Sequence, residues 1–157
     1  MENKKLFDWA IQHDPLVVPM FLSLEIAHKV ANIKAREIWG QYGLTPAEFD
    51  VLVTLRNSEN PHELTPGEIQ DRVLITSGGL TKIILMLEQK GMIKRFVNKN
   101  DCRVKPVRLT AAGNRYISKV MRHLADMSGV FIRSILSNSE IKQVTYALNK
   151  IVEAHHA

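Results

Sequence analysis

LTPGEIQDRVLITSGGLTKIILMLEQKGMIKRFVNKNDCRVKPVRLT, residues 64–110, is the stretch whose reading decides how this chain folds. Thr65-Pro66-Gly67-Glu68 is a capping box. Its hydroxyl and its carboxylate each take one of the N–H groups that an opening helix leaves unbonded, and Pro66 stands at the first position, where its missing N–H costs nothing. The helix it opens is short, ending about Val73, with Ile69, Val73 and Leu74 inward. Thr76 or Ser77 caps a second helix, in which Leu80, Ile83, Ile84 and Leu87 recur at helical spacing. Gly91 ends that helix where left-handed backbone is wanted. Residues 92–97 and 104–109 then read as two strands around the turn-forming Asn98-Lys99-Asn100-Asp101. Pro106 has no N–H to give a ladder, so its strand is expected at an edge, or with that position turned outward.

Two short helices on a tight connection, followed by a hairpin, make a winged helix-turn-helix, and the charge distribution agrees with one. Between Lys90 and Arg108 stand seven basic residues against the single acid Asp101, a local charge of +6, which leaves −1 for the rest of a chain whose net charge is +5. A solvated basic face is the plain reading of a lone charge run; inside a hairpin that follows a helix pair, a polyanionic partner is the better one.

Working outward, Thr45-Pro46-Ala47-Glu48 repeats the capping chemistry and opens a helix with Phe49, Leu52, Val53 and Leu55 to near Asn57, and the polar residues 58–63 read as a loop. Upstream, Pro15 and Pro19 bracket an entry segment, and Pro19 can stand in the first turn of a long helix running to about Tyr42, which Gly43 ends. Leu22, Ile26, Ile33 and Trp39 form part of its apolar stripe. Downstream, Thr110 caps a long helix to about Leu136, with Ile117, Leu124 and Phe131 every seven residues. Ser137-Asn138-Ser139-Glu140 is a third capping box, opening a last helix with Ile141, Val144, Leu148 and Ile151.

The expected fold is mainly α with a small β-wing, one domain over residues 1–157. A winged helix-turn-helix lobe of about 44–110 sits with helices of about 15–42 and 111–157, whose apolar surfaces bury most economically against each other and a second copy, as a dimerisation lobe. At 157 residues two independent cores are not expected. The one cysteine, Cys102, rules out an internal disulfide and fits a reducing cytoplasm; at the wing it reads as an incidental thiol, though Arg103 and Lys105 beside it would favour a thiolate. Residues 1–14 mix charges with Phe7 and Trp9, and no apolar run reaches membrane-spanning length, so neither export nor a membrane is expected. Six histidines are scattered or terminal, with no metal-ligand spacing. No nucleophilic triad, phosphate loop or dinucleotide fingerprint appears, so neither a cofactor nor an enzymatic activity is expected.

Asp101-Cys102-Arg103 leading to Leu109-Thr110-Ala111-Ala112-Gly113, together with Leu44-Thr45-Pro46-Ala47-Glu48-Phe49 and Leu87-Glu88-Gln89-Lys90-Gly91-Met92-Ile93, resembles the MarR family of winged helix-turn-helix regulators over essentially the whole chain. Leu64-Thr65-Pro66-Gly67-Glu68-Ile69 and Thr76-Ser77-Gly78-Gly79-Leu80-Thr81 look most like its PecS and urate-responsive branch. The resemblance implies a homodimeric regulator, a ligand-responsive repressor, on a pseudo-palindromic operator of double-stranded DNA. The same fold used without DNA binding, as a protein-interaction adaptor or antirepressor, is the alternative, against which the intact basic wing speaks.

With Leu80, Ile83, Ile84 and Leu87 turned inward, Ser77, Gly78, Thr81 and Lys82 are left outward near the helix N-terminus, where a recognition helix meets base edges. Lys99 and Arg103 belong to the wing, where an Arg suits the narrow minor groove, and Asp101 is expected to orient Arg103 by a salt bridge. Lys94, Arg95, Lys105 and Arg108 either neutralise phosphates or solubilise the strands. For a small aromatic or acidic effector, the resemblance points to a cavity between dimer helices and DNA-binding lobe, with Trp9, His28, Trp39, Asp50 and Arg95 as candidate contributors. Asp50 and Arg95 fall on an Asp and an Arg of the urate-responsive members, while their in-helix Arg falls on Ile83.

Overall fold

The computed structural model describes residues 8–73, 75–96 and 105–156, with side chains from residue 11 to 154 over the same ranges. The chain clusters into two compact units, Met1–Pro46 and Ala47–Ala157.

The first unit holds α1 (Asp8–His13) and α2 (Val17–Gln41). The short α1 lies ahead of the segment bracketed by Pro15 and Pro19, where the sequence reading placed no helix. At the start of α2 the Asp14 carboxylate accepts from the Leu16 and Val17 amides, at 3.1 and 2.9 Å, the work of a helix cap. Pro19 stands in the first turn. Gly43, at φ 61°, reverses the chain, and Leu44 N–H bonds back to the Trp39 carbonyl at 3.0 Å, so the last carbonyls of α2 are satisfied. Ile38 and Trp39 are buried, whereas Phe21, Ile26 and Ile33 stand more than half exposed.

The second unit runs α3 (Pro46–Asn57), β1 (Glu63–Leu64), α4 (Pro66–Arg72), α5 (Ser77–Gln89), β2 (Ile93–Arg95), β3 (Val107–Leu109), α6 (Ala111–Arg133) and α7 (Asn138–His156). Its core is the inward side of these elements: Val51, Leu52 and Leu55 of α3, Ile69 of α4, Leu87 of α5, Ile93 and Val107 of the sheet, Ile117 and Val120 of α6, each with essentially no exposure. Both C-terminal capping boxes form as their spacing predicts. Thr65 and Glu68 exchange side chain and backbone contacts at 2.7 to 3.2 Å, and Ser137 and Glu140 do the same at 2.7 to 3.3 Å. These hydrogen bonds hold both glutamates below the ordinary carboxylate range.

Two expectations about the strands are corrected. Glu63, read as the end of the 58–63 loop, begins a strand with Leu64, and the antiparallel sheet runs β1-β3-β2 with Glu63 opposite Arg108 and Lys94 opposite Arg108 on the other side. The strand after Pro106 is therefore central, not an edge. Pro106 precedes β3, so its missing N–H removes no ladder bond, while its carbonyl accepts from Phe96 N–H at 2.9 Å.

At the base of the hairpin the Leu109–Gly113 segment splices sheet to helix. Thr110 N–H bonds the Met92 carbonyl at 3.0 Å, the Thr110 hydroxyl reaches the carbonyls of Gly91 and Met92 at 2.8 and 3.1 Å, and its oxygen caps α6 by accepting from Gly113 N–H at 2.9 Å. Gly113 is buried against the Met92 backbone so closely that a β-carbon there would overlap that carbonyl. Beyond Val120 several apolar residues of α6 and α7 stand out of the core: Val130, Tyr146 and Val152 are all more than half exposed, as is Ile135 between the two helices.

Candidate nucleic-acid interface

α5 is the candidate reading helix. Its N-cap is Thr76, whose hydroxyl accepts from Gly79 N–H at 3.3 Å, and the Thr81 hydroxyl donates to the Ser77 carbonyl at 3.1 Å. Leu80, Ile84 and Leu87 are buried and Ile83 is half-buried, so the inward face is the expected one. Ser77, Gly78, Thr81 and Lys82 share the exposed face at the N-terminal end, with no acid in the first turn. That end carries the positive side of the helix dipole, which suits a phosphate-bearing surface. The two glycines differ. A β-carbon at Gly78 would meet open space, whereas one at Gly79 would press on Ile75 and Thr76 at 3.1 Å, so Gly78 leaves surface bare and Gly79 lets the cap close.

The basic stretch is less available than its composition suggests, because three acids from outside the basic cluster sit against three of its seven cations. The Lys90 ammonium lies 2.6 Å from the Glu48 carboxylate, which is buried at 1% exposure and ties the end of α5 to the start of α3. Arg95 closes on Glu88 through Nε at 2.9 Å and Nη2 at 2.5 Å, and this guanidinium holds the Glu88 carboxyl below the usual range. Arg108 meets its cross-strand neighbour Glu63 at 2.7 Å, with its guanidinium 4.3 Å from the centre of the Phe96 ring. Lys94 and Lys105 are exposed and remain candidates for phosphate contact. Lys99, Asp101, Cys102 and Arg103 lie outside the described residues, as does Leu74.

The effector candidates divide between the units. Trp9 belongs to α1, its side chain outside the described residues; His28 is exposed on α2 with its ring nitrogen 2.8 Å from the Asn32 amide; Trp39 is buried in α2. In the second unit, Arg95 is engaged with Glu88, and a cavity of about 340 Å³ is lined instead by Asp50, Val53, Thr54, Arg72, Val73 and Ile75. Partial burial raises the Asp50 carboxyl above its ordinary value. Arg72, the last residue of α4, is the cation that the sequence did not single out. Its only signal was a charged residue ending a helix beside the inward Val73. Val53, expected in the core, lines this cavity. Among the described residues no group of His, Cys, Asp or Glu could hold a metal ion. No helix among them is long and apolar enough to cross a membrane.

The MarR family profile matches residues 44–105. The HTH-type transcriptional regulator PecS of Dickeya dadantii is 31% identical over 152 residues, covering 94% of this chain and 89% of PecS. A MarR family protein of Bacillus stearothermophilus superposes with a TM-score of 0.79 at 22% identity, covering 92% of this chain and 98% of that one. A mutant MarR of E. coli, solved in complex with operator DNA, superposes with a TM-score of 0.70 at 24% identity over 86% of this chain and 94% of its own.

Proposed function

Since the chain belongs to the MarR family, whose members are DNA-binding transcriptional regulators and not enzymes, we propose that it is a ligand-responsive repressor that binds a pseudo-palindromic operator as a homodimer. The observation that carries this reading is α5 itself: one face sealed into the core, the other presenting Ser77, Gly78, Thr81 and Lys82 around an exposed helix N-terminus that holds no acid in its first turn. Each subunit lays this helix in the major groove and its Arg103 wing, oriented by Asp101, in the flanking minor groove, with half-sites about one helical turn apart. The likeness to a MarR solved on operator DNA supports the docking mode, and the uncovered apolar residues of α6 and α7 support a second copy. The Asp50–Arg72 cavity takes a small acidic or aromatic effector, whose carboxylate meets Arg72 while its apolar body lies on Val53, Val73 and Ile75. Differential affinity of a few kcal/mol between DNA-competent and incompetent states is enough for release.

A gel shift with DNA upstream of the protein's own gene, across a salt series, tests the docking. Lys82→Ala with Arg103→Ala should weaken binding by about 10- to 100-fold and flatten the salt dependence by about two phosphate contacts. Wild-type affinity in that double variant would remove α5 and the wing from the interface.

A further inference from the structure

On the operator-binding reading above, we propose that Arg108 is a positioning residue: held between Glu63 and Phe96, it ties the three strands together and fixes how the wing leaves the sheet, without itself contacting phosphate.

In the antiparallel register Arg108, on the central β3, stands directly opposite Glu63 of β1 on one side and Lys94 of β2 on the other. Residues so opposed share one face of the sheet, where unlike charges support the pairing and like charges oppose it. The side chain goes to the acid, its Nε donating to Glu63 Oε2 at 2.7 Å. Its guanidinium carbon then lies over the Phe96 ring, 4.3 Å from the centre. Phe96 follows β2, and its N–H bonds the Pro106 carbonyl just ahead of β3 at 2.9 Å. One side chain therefore touches β1 and the end of β2 while its own backbone belongs to β3.

Such a cross-link matters because the strands are only two, three and three residues long, and ladders this short are marginal by themselves. The inner face of the sheet is held by Ile93, Val107 and Leu109 in the core; the outer face is held by the Glu63–Arg108–Phe96 contacts. Alternation turns Arg95 to the opposite face from Lys94, and there its bonds to Glu88 tie β2 to α5. The reading helix is thus joined to β2, and β2 through Arg108 to β3 and β1. The chain leaves the sheet after Phe96 and returns at Pro106, so the last contacts made before the wing are those Arg108 holds. A phosphate contact from Arg108 would have to displace a carboxylate already in place and leave that acid facing the DNA backbone, a like-charge juxtaposition that costs affinity. Lys94 and Lys105 are exposed and can meet phosphate without that cost.

Operator gel shifts, run well below the Tm that circular dichroism gives for each variant, test the assignment. Glu63→Gln decides most, because bulk charge and positioning predict opposite signs. Removing an acid raises the attraction of the chain for DNA, whereas releasing Arg108 should weaken operator binding by about tenfold. Arg108→Gln should weaken it by the same factor, and the two changes together by no more than either alone, since both remove one contact. Phe96→Leu, which alters no charge, should weaken binding by about threefold. Tighter or unchanged binding in Glu63→Gln overturns the proposal, as do losses that add in the double variant or a Phe96→Leu protein that binds like wild type. These results require a wild-type chain that binds operator; if wild type shows no salt-sensitive binding, the operator-binding reading fails and the positioning role fails with it.

Discussion

Gly113 and Gly78 carry opposite consequences of the same missing β-carbon. At Gly113 a methyl would overlap the Met92 carbonyl, a backbone group that yields only if the hairpin root moves, so Gly113→Ala should cost at least about 1–3 kcal/mol in thermal unfolding. At Gly78 a methyl meets open space in a helix, so Gly78→Ala should hold or raise Tm by the helix preference of Ala, about 1 kcal/mol, while lowering operator affinity through lost close approach. A Gly78→Ala protein that binds operator as tightly as wild type would show that this surface is not read. Asp50 yields a pH signature. Burial raises its carboxyl in the folded chain, so the folded state favours the neutral form, and the stability this confers is present below the unfolded value and lost as pH rises through the folded one. Asp50→Asn should therefore gain Tm over wild type at neutral pH, with the gain vanishing in acid; a difference independent of pH would reject burial as the cause. In the sequence Asp50 was legible as a candidate, but its neighbour was not. The family resemblance points to Arg95 as the cation, yet Glu88, seven residues earlier, lies beside it, and Arg72 lines the cavity that Asp50 lines.

Among elements, the two C-terminal capping boxes and the ends of α5 and α6 were legible because a cap is a contract among residues three apart, with no tertiary term. β1 was not, since two residues carry no periodicity and become a strand only by standing opposite Val107 and Arg108. Glu48 shows the limit most clearly. Its place three residues after Thr45 predicts a cap, but its burial and its bond to Lys90, 42 positions away, belong to how α3 and α5 meet. Lys90→Ala leaves that carboxylate without its cation and should cost up to about 3 kcal/mol, the low end for a broken buried pair because the lysine side chain is 37% exposed. Adding Glu48→Gln should recover part of the loss in urea unfolding. If the double variant is no better than Lys90→Ala alone, the charge on Glu48 is not the source of the cost.

For the molecule as a whole, the heptad spacing of Ile117, Leu124 and Phe131 predicts a helix needing a partner, and the structure divides it into a buried start at Ile117 and Val120, a half-buried continuation at Leu124 and Phe131, and exposed apolar residues beside it at Met127 and Val130. Val130, at 70% exposure, and Val152, at 56%, are too exposed to serve the core of one chain. If this face seals the homodimer proposed above, Val130→Lys with Val152→Lys should sediment as a monomer and bind operator at least about 100-fold more weakly, because two half-sites are no longer held by one particle. A variant that remains dimeric would place the interface elsewhere. The splice at Thr110 and Gly113 also fixes what mechanical work the second unit can do. Its hydrogen bonds and its lack of free volume make the hairpin root an extension of α6, a rod of 23 residues and so about 35 Å long. A rod of that length multiplies angle into distance: a tilt of about 5° at its Arg133 end would carry the hairpin root by about 3 Å, close to the 3.4 Å rise from one base to the next. On the docking proposed above, a tilt of that size would shift the hairpin root by about one base step.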